Sequence, residues 1–307
     1  MAGQTTQDGG KPAVDVCVCT FRRASLRDTL DSLAAQEGAP AFRVIVTDND
    51  DDPSAETMVN AARAELGLDV VYVHAPARNI SIARNGCLDA AAADLVAFVD
   101  DDETAARDWL SQLVRRLETS GADVALGPVK ARYLPDAPSW VVRGDFHSFG
   151  PAFRANGEID TGYSSNVLFR RAAIGRLRFD PALGRTGGED TLFFAQLHAA
   201  GARLEYAPDA VVFEVTTPDR ARLSWLTKRS FRSGQTHARM LRASGQGPLG
   251  IATLAAAKAL YCAGAAIVTV WSPVEFRRNI VRGALHAGAV ARAFGAPDLK
   301  LYGEATT

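Results

Sequence analysis

Four adjacent carboxylates, Asp100, Asp101, Asp102 and Glu103, directly follow the apolar run Leu95 to Val99. Like charges this close repel one another, and proteins tolerate them where a cation or bulk water offsets the charge. Oxygen-only ligands suit a hard ion, Mg²⁺ or Mn²⁺, which keeps waters and shares its coordination with substrate phosphates. A solvated acidic turn with Asp102 and Glu103 opening a helix explains the same residues, so the cluster alone leaves both readings open. A second acidic signal is Gly187-Gly188-Glu189-Asp190-Thr191, ahead of a helical stripe of Leu192, Phe193, Phe194 and Leu197. Glycines there bring backbone close to a ligand and leave a carboxylate in a cleft, where burial can tune it as a general base. Taken alone, this segment reads first as an acidic helix N-terminus.

The elements that must position these acids are legible from periodicity. Val14 to Phe21 is a β-rich run leading into a helix with Leu26, Leu30 and Leu33 on one face. Strands at Phe42 to Thr47, Val70 to His74 and Leu95 to Val99 then alternate with helices at Ser54 to Leu66 and Ile82 to Ala92. Such alternation implies a parallel sheet with right-handed crossovers. In those sheets ligands bind beyond the carboxyl ends of the strands, which here carry Thr20 to Arg23, Asp48 to Asp52 and Asp100 to Glu103. Further strands are expected at Val124 to Gly127, Asn166 to Phe169 and Ala210 to Phe213, with loops from Pro135 to Gly162 near a cleft.

The composition excludes several classes. At 307 residues, 47% hydrophobic and 22% charged, the chain is an ordinary globular protein rather than a disordered or multispan membrane one. No GxGxxG follows the first strand and no GxxxxGK[ST] occurs, against a dinucleotide or P-loop enzyme. Cys17, Cys19, Cys87 and Cys262 lack zinc or disulfide spacing, and Cys17 and Cys19, alternating in a strand-like run, read as buried filler. Residues 1–12 contain no apolar stretch of secretory type; a flexible leader and a cytoplasmic location are the expectation.

Several motifs occur together and in order. They are Asp48-Asn49-Asp50, Arg78 through Gly86 (RNISIARNG), Asp100 to Asp102, Ser164 through Arg171 (SSNVLFRR), Phe179-Asp180-Pro181 and Gly188-Glu189-Asp190. From about residue 14 to 217 the chain resembles family 2 glycosyltransferases, particularly those building succinoglycan-type exopolysaccharides. It departs from many members at Ile80-Ser81, where a glycine is common, and at Asp50, where serine is common. The resemblance implies an α/β fold of GT-A type, a Rossmann-like, mostly parallel sheet flanked by helices. That domain would span 13–217, followed by a basic helical extension over 218–307.

The resemblance further implies that Thr20, Arg23 and Asp48 contact the nucleoside, with Asp48 accepting from the base. Arg84 would lie near the base or diphosphate, Asp100 on the ribose with Asp101 beside it, and Asp102 on Mn²⁺ or Mg²⁺. Asp190 would deprotonate the acceptor hydroxyl, with Glu189 beside it as the second catalytic acid. The implied partners are a nucleotide-diphosphate sugar, a UDP-sugar in first place, and a saccharide or lipid-linked acceptor; inversion of configuration also comes from the family. A noncatalytic nucleotide-sugar-binding or membrane scaffold would instead bind donor without turnover. A sugar nucleotidyltransferase would need a glycine-rich phosphate loop where Thr20-Phe21-Arg22-Arg23 stands.

The formal net charge of -1 hides an asymmetry, for residues 218–300 carry 13 Lys or Arg against 3 Asp or Glu. Leu223 to Arg242 reads as a basic amphipathic helix with Arg222, Arg229, Arg232 and Arg239 on one face. Anionic lipid, a donor diphosphate, or plain packing on the core would each account for that face. Leu249 to Trp271 is long enough to span a bilayer, but a central Lys258 costs about 2.5 to 3.5 kcal/mol there, favouring a buried or in-plane helix. The expected setting is the cytoplasm, peripheral on the inner face of the plasma membrane, with no nucleic-acid partner because no such module is present. Trp225 fits an interface or the core, and His198, His237 and His286 have no ligand partner at useful spacing.

Overall fold

The computed structural model describes residues 13–299; the leader expected over 1–12 lies outside them. The first third alternates as the periodicity predicts: β1 (Val14–Thr20), α1 (Leu26–Ala34), β2 (Phe42–Asp48), α2 (Glu56–Leu66), β3 (Val70–His74), α3 (Ile80–Ala90) and β4 (Leu95–Val99). Then come β5 (Glu103–Ala105), α4 (Trp109–Ser120), β6 (Val124–Leu126), β7 (Val129–Tyr133), α5 (Ser139–Gly144), β8 (Asn166–Arg170) and α6 (Arg171–Ile174). After a 3₁₀ turn at Pro181–Leu183, α7 (Glu189–Ala199), β9 (Leu204–Tyr206) and β10 (Val212–Thr216) complete the body. Three long helices follow: α8 (Leu223–Ala243), α9 (Pro248–Val268) and α10 (Pro273–Ala293).

Seven strands form the main sheet in the order β3-β2-β1-β4-β8-β6-β9. The four strands from β3 to β4 are mutually parallel, β8 runs antiparallel to β4 and β6, and β9 is parallel to β6. A second sheet, β5-β10-β7, lies beside it. Both faces of the main sheet are covered, and the strand period of two divides the core accordingly. Val14, Val16 and Val18 face one core with Leu26, Leu30 and Leu33 of α1 and Leu110, Leu113 and Leu117 of α4. Cys17 and Cys19 face the other with Ala83 and Cys87 of α3 and Phe193 and Phe194 of α7. The alternating cysteines are buried and free, as small apolar filler should be.

Local chemistry moves some boundaries. The α3 helix starts at Ile80, two residues before its apolar stripe suggests, because Asn79 Oδ1 accepts from the Ser81 and Ile82 amides at 3.1 and 3.3 Å. Ser54 does not open α2, which begins at Glu56. The strand expected from Ala210 starts at Val212, where pairing with β5 and β7 begins. Glu103 opens a strand rather than a helix, so the helix-start account of the Asp100 to Glu103 cluster is overturned: Glu103 pairs with Glu214 of β10 in an antiparallel ladder. Asn166 ties the two sheets, accepting from Trp109 Nε1 at 2.8 Å and donating to the Pro128 and Ala210 carbonyls at 2.9 and 2.8 Å.

The helical extension is docked on the body. Arg278 donates to the Gly144 carbonyl at 3.1 Å, and the Arg277 guanidinium lies over the Trp140 ring. A buried α9 is corrected, because only 28% of its apolar stretch is covered.

Candidate active site

Three strand ends meet at one edge of the sheet. In the parallel register Thr20 ends β1 beside Asp48 of β2, while β4 runs alongside and delivers Asp100 to Asp102 just beyond its end. Thr20 Oγ1 donates to Asp101 Oδ2 at 2.8 Å, tying the β1 and β4 ends together. Asp102 Oδ2 accepts from Arg23 at 3.0 Å and from Arg220 at 3.3 Å, and Arg220 also pairs with Glu214. Glu103 is buried, its Oε2 accepting the Asp100 amide at 3.0 Å, which fixes the turn that presents the three aspartates.

Burial and mutual repulsion shape the proton affinities of this cluster. Asp101 is pushed up to about 7 first by desolvation and then by Asp102, against Arg23 and the Thr20 hydrogen bond. Asp100 also reaches about 7, through desolvation opposed by Arg84 and reinforced by Asp102 and Asp101. Glu103 and Glu214 are raised by burial as well. Four carboxyls that resist ionisation together make a site where a cation would be stabilised. The donor set is all oxygen, which fits Mn²⁺ or Mg²⁺. Among the described residues no three Asp, Glu, His or Cys side chains converge as a full metal cage, so an ion there would need oxygens from a bound ligand.

Across from this cluster stands the start of α7. Arg84, on α3 and 6% exposed, pairs with Glu189 and lies 3.8 Å from Asp100 Oδ1. Burial works against its charge, but Glu189, Asp100 and Asp190 more than offset that and hold it protonated. Glu189 is also buried, which raises its proton affinity against the pull of Arg84. Asp190 is only half-buried, and its Oδ1 accepts from the Thr191 amide at 2.7 Å. The two neighbouring acids therefore differ: one is a buried ion-pair partner, the other an oriented, accessible carboxylate.

The glycines before them are required. Gly187 and Gly188 have φ of +82° and +90°, and a Cβ on Gly187 would collide with the Arg232 guanidinium of α8. Arg232 donates to the Thr186 carbonyl at 3.2 Å and Arg239 reaches the Gly187 carbonyl at 3.5 Å. Arg232 and Arg239 of α8 thus point at the Gly187 loop, whereas Arg222 on the same basic face is exposed. Trp225 of α8 is half-buried, stacked on His147 at 5.5 Å and facing Arg229 at 5.2 Å.

The fold brings Thr20, Arg23, Arg84, Asp100, Asp101, Asp102, Glu189 and Asp190 together. Asp48 lies at the same sheet edge but is fully buried: Oδ1 accepts the Asp50 amide at 3.0 Å, and Oδ2 accepts the Ala55 amide and the Tyr72 hydroxyl, both at 2.8 Å. In this arrangement its carboxylate fixes the loop after β2 and offers no surface to a ligand. Sequence reasoning missed Glu214 and Arg220. A lone acid in a short strand carries no signal, and Arg220 is masked by the basic tail around it.

The family model for Glycosyl transferase family 2 matches residues 15–178. The succinoglycan biosynthesis protein ExoM of Rhizobium meliloti is 47% identical over 296 residues, covering 94% of this chain and 96% of its own length. A glucosyl-dolichyl phosphate glucuronosyltransferase of Haloferax volcanii is 29% identical over 246 residues, 72% of this chain and 75% of that protein. Among solved structures, the mannosyltransferase PcManGT from Pyrobaculum calidifontis, in complex with GDP-Man and Mn²⁺, has a TM-score of 0.63 at 22% identity, covering 92% of this chain and 88% of that one. S. aureus TarS 1-349 in complex with UDP-GlcNAc reaches 0.54 at 16% identity, covering 92% of each chain. Likeness at these identities shows the shared GT-A fold.

Proposed function

The chain belongs to glycosyl transferase family 2 and is a glycosyltransferase; from that premise we propose a metal-dependent, inverting enzyme acting in polysaccharide synthesis. It moves a sugar from a nucleotide-diphosphate donor to a hydroxyl of a saccharide or lipid-linked acceptor. The observation that carries this reading is the division made by Arg84. The guanidinium occupies Glu189 and leaves the neighbouring Asp190 available opposite the Asp100 to Asp102 cluster.

Asp190 takes the proton of the acceptor hydroxyl as that oxygen bonds to the anomeric carbon and the bond to the diphosphate breaks. The Glu189–Arg84 pair sets the start of α7 and so the aim of Asp190; Glu189 is a positioning residue in this scheme. Thr20, Arg23, Asp100 and Asp101 line the nucleotide side, and Arg84 reaches it through Asp100. Asp48 acts there by holding the loop after β2. Asp102 would hold Mn²⁺ or Mg²⁺, which would supply positive charge to offset that growing on the departing diphosphate. Arg23 and Arg220, paired with Asp102, add fixed positive charge beside it.

A UDP-sugar is the first donor to test. Relatives supply both precedents, since the solved neighbours carry GDP-Man and UDP-GlcNAc. The setting is the cytoplasm at the inner face of the plasma membrane, where a soluble donor meets a lipid-linked acceptor. Calorimetric titration of UDP, GDP and CDP, each with Mn²⁺ and with EDTA, tests the reading. One nucleotide should bind in a metal-dependent way, and Asp190→Asn should keep that binding while transfer falls by about 10² to 10⁴-fold. Folded protein that binds none of the three, or wild-type transfer by the variant, would sink it.

A further inference from the structure

The long helix α9 has a bare apolar face that the body does not use. Leu254, Leu260, Tyr261, Ile267, Val268 and Trp271 repeat at seven-residue and three-residue spacings along one side. Leu260, Tyr261, Ile267 and Val268 are each about three-quarters exposed, and Trp271 is 90% exposed. The opposite side, Ile251, Ala252, Ala255, Cys262 and Ala266, is buried against the neighbouring helices. An apolar strip this continuous is unusual on a soluble surface.

We propose that this face of α9, with Trp271 at its end, docks in the plane of an anionic lipid bilayer. Charge selects the occupant. No Asp or Glu occurs between Asp219 and Glu275, while Arg242 of α8, Lys258 of α9 and Arg282 of α10 are exposed on the same three-helix extension. Lys258, Arg282 and His237 gather close enough to His286 for their positive charge to add to burial in lowering its proton affinity. An apolar face on an extension rich in exposed cations matches acidic headgroups above acyl chains, and an exposed Trp fits the interfacial depth. A second copy of this chain would have to set one positively charged extension against another.

The helix lies in the plane rather than crossing. Its buried side packs on α10, whose Arg277, Arg278, Arg282 and Arg292 cannot follow it into hydrocarbon. The α8 helix, also packed on α10 through Gly234 and Gly288, bears the arginines that touch the Gly187 loop. Docking through α9 therefore fixes the catalytic loop at a set height over the membrane. This inference deepens the proposed membrane-side transfer, and vesicles free of donor and acceptor test it apart from that reading.

The experiment is flotation of the full chain with vesicles of phosphatidylcholine alone and of phosphatidylcholine with phosphatidylglycerol, alongside Leu260→Asp/Ile267→Asp and Lys258→Glu variants. Both substituted apolar residues are exposed, so matched thermal melts confirm the fold. Wild type should float with the anionic vesicles and show a blue shift in Trp fluorescence that Trp271→Phe removes. The double variant should lose binding by more than about tenfold, and Lys258→Glu should weaken it on anionic vesicles. Equal flotation of the double variant overturns the proposal. So does a lipid-free wild-type dimer, seen by light scattering, that the two aspartates disperse, because a second copy is then the occupant.

Discussion

Arg84→Met isolates the ion pair at the centre of the site. Arg84 and Glu189 are both nearly enclosed, with side chains 8% and 7% exposed. Methionine keeps most of the stem's volume, so the packing loss is small. What remains is a buried carboxylate: Oε1 has lost its donor, and Oε2 is enclosed without a hydrogen-bond partner among the described residues. Removing one partner of such a pair costs about 3 to 5 kcal/mol, and loss of the contact with the Phe179 ring at 5.5 Å adds about 0.5 kcal/mol or more. Against a total stability of about 5 to 15 kcal/mol, that is a large fraction.

The cost has a definite pH dependence. Glu189 is already raised by burial, and without Arg84 it rises further. A carboxyl with a folded-state pKa above its unfolded one adds stability at low pH that disappears as pH climbs through the folded value. The variant should therefore be most impaired near pH 8 and recover towards pH 5.5. Glu189→Gln in the same chain should restore all but about 1 to 2 kcal/mol, since a neutral amide is cheaper to bury than an unpaired charge. Urea denaturation of the wild type, both single variants and the double variant at the two pH values closes the cycle. A loss below about 1 kcal/mol at pH 8, or a loss that neither acid nor Glu189→Gln relieves, would refute the argument. Donor titration of the double variant also separates roles: undiminished affinity means Arg84 acts through Glu189, whereas weakened affinity means it meets the nucleotide.

Other outcomes follow from the same geometry. Asp102→Ala should abolish the metal dependence of nucleotide binding in calorimetry while leaving Arg23 and Arg220 in place; retained dependence would move the ion elsewhere. Metal-free protein should lose roughly 2 to 3 kcal/mol between pH 5 and 7.5 from Asp101 alone, because its pKa of about 7 means the folded state holds a proton that the unfolded chain releases. Saturating Mn²⁺ should flatten that slope in denaturant melts, and a slope indifferent to Mn²⁺ would speak against a cation at this cluster. Gly187→Ala should destabilise by about 1 to 3 kcal/mol and depress transfer, through positive φ and the Arg232 collision; Arg232→Ala in the same chain should relieve the second part only.

The sequence by itself determined the alternating body and the order of its motifs. A period of two with small apolar residues, as in Val14 to Thr20, and a leucine stripe as in α1 are local signals that burial on both sheet faces reinforces. Acids just beyond strand ends were legible for the same reason, since parallel topology sends those ends to one edge. Only the tertiary structure decided how neighbours in sequence part company. Glu189 and Asp190 are alike on paper, and α3 separates them by delivering Arg84 to one alone. Asp48 is acidic and at the right edge, yet Tyr72 and two amides enclose it. Arg220 and Glu214 join the aspartate cluster from more than a hundred residues away, through a strand pairing of β10 with β5 that no local pattern encodes. The basic stripe of α8 left lipid, diphosphate and core packing open and α9 read as buried or in-plane, until helix packing turned Arg232 and Arg239 towards the Gly187 loop and left one face of α9 exposed. Periodicity records which side of a helix is apolar or charged; what that side meets depends on contacts distant in the chain.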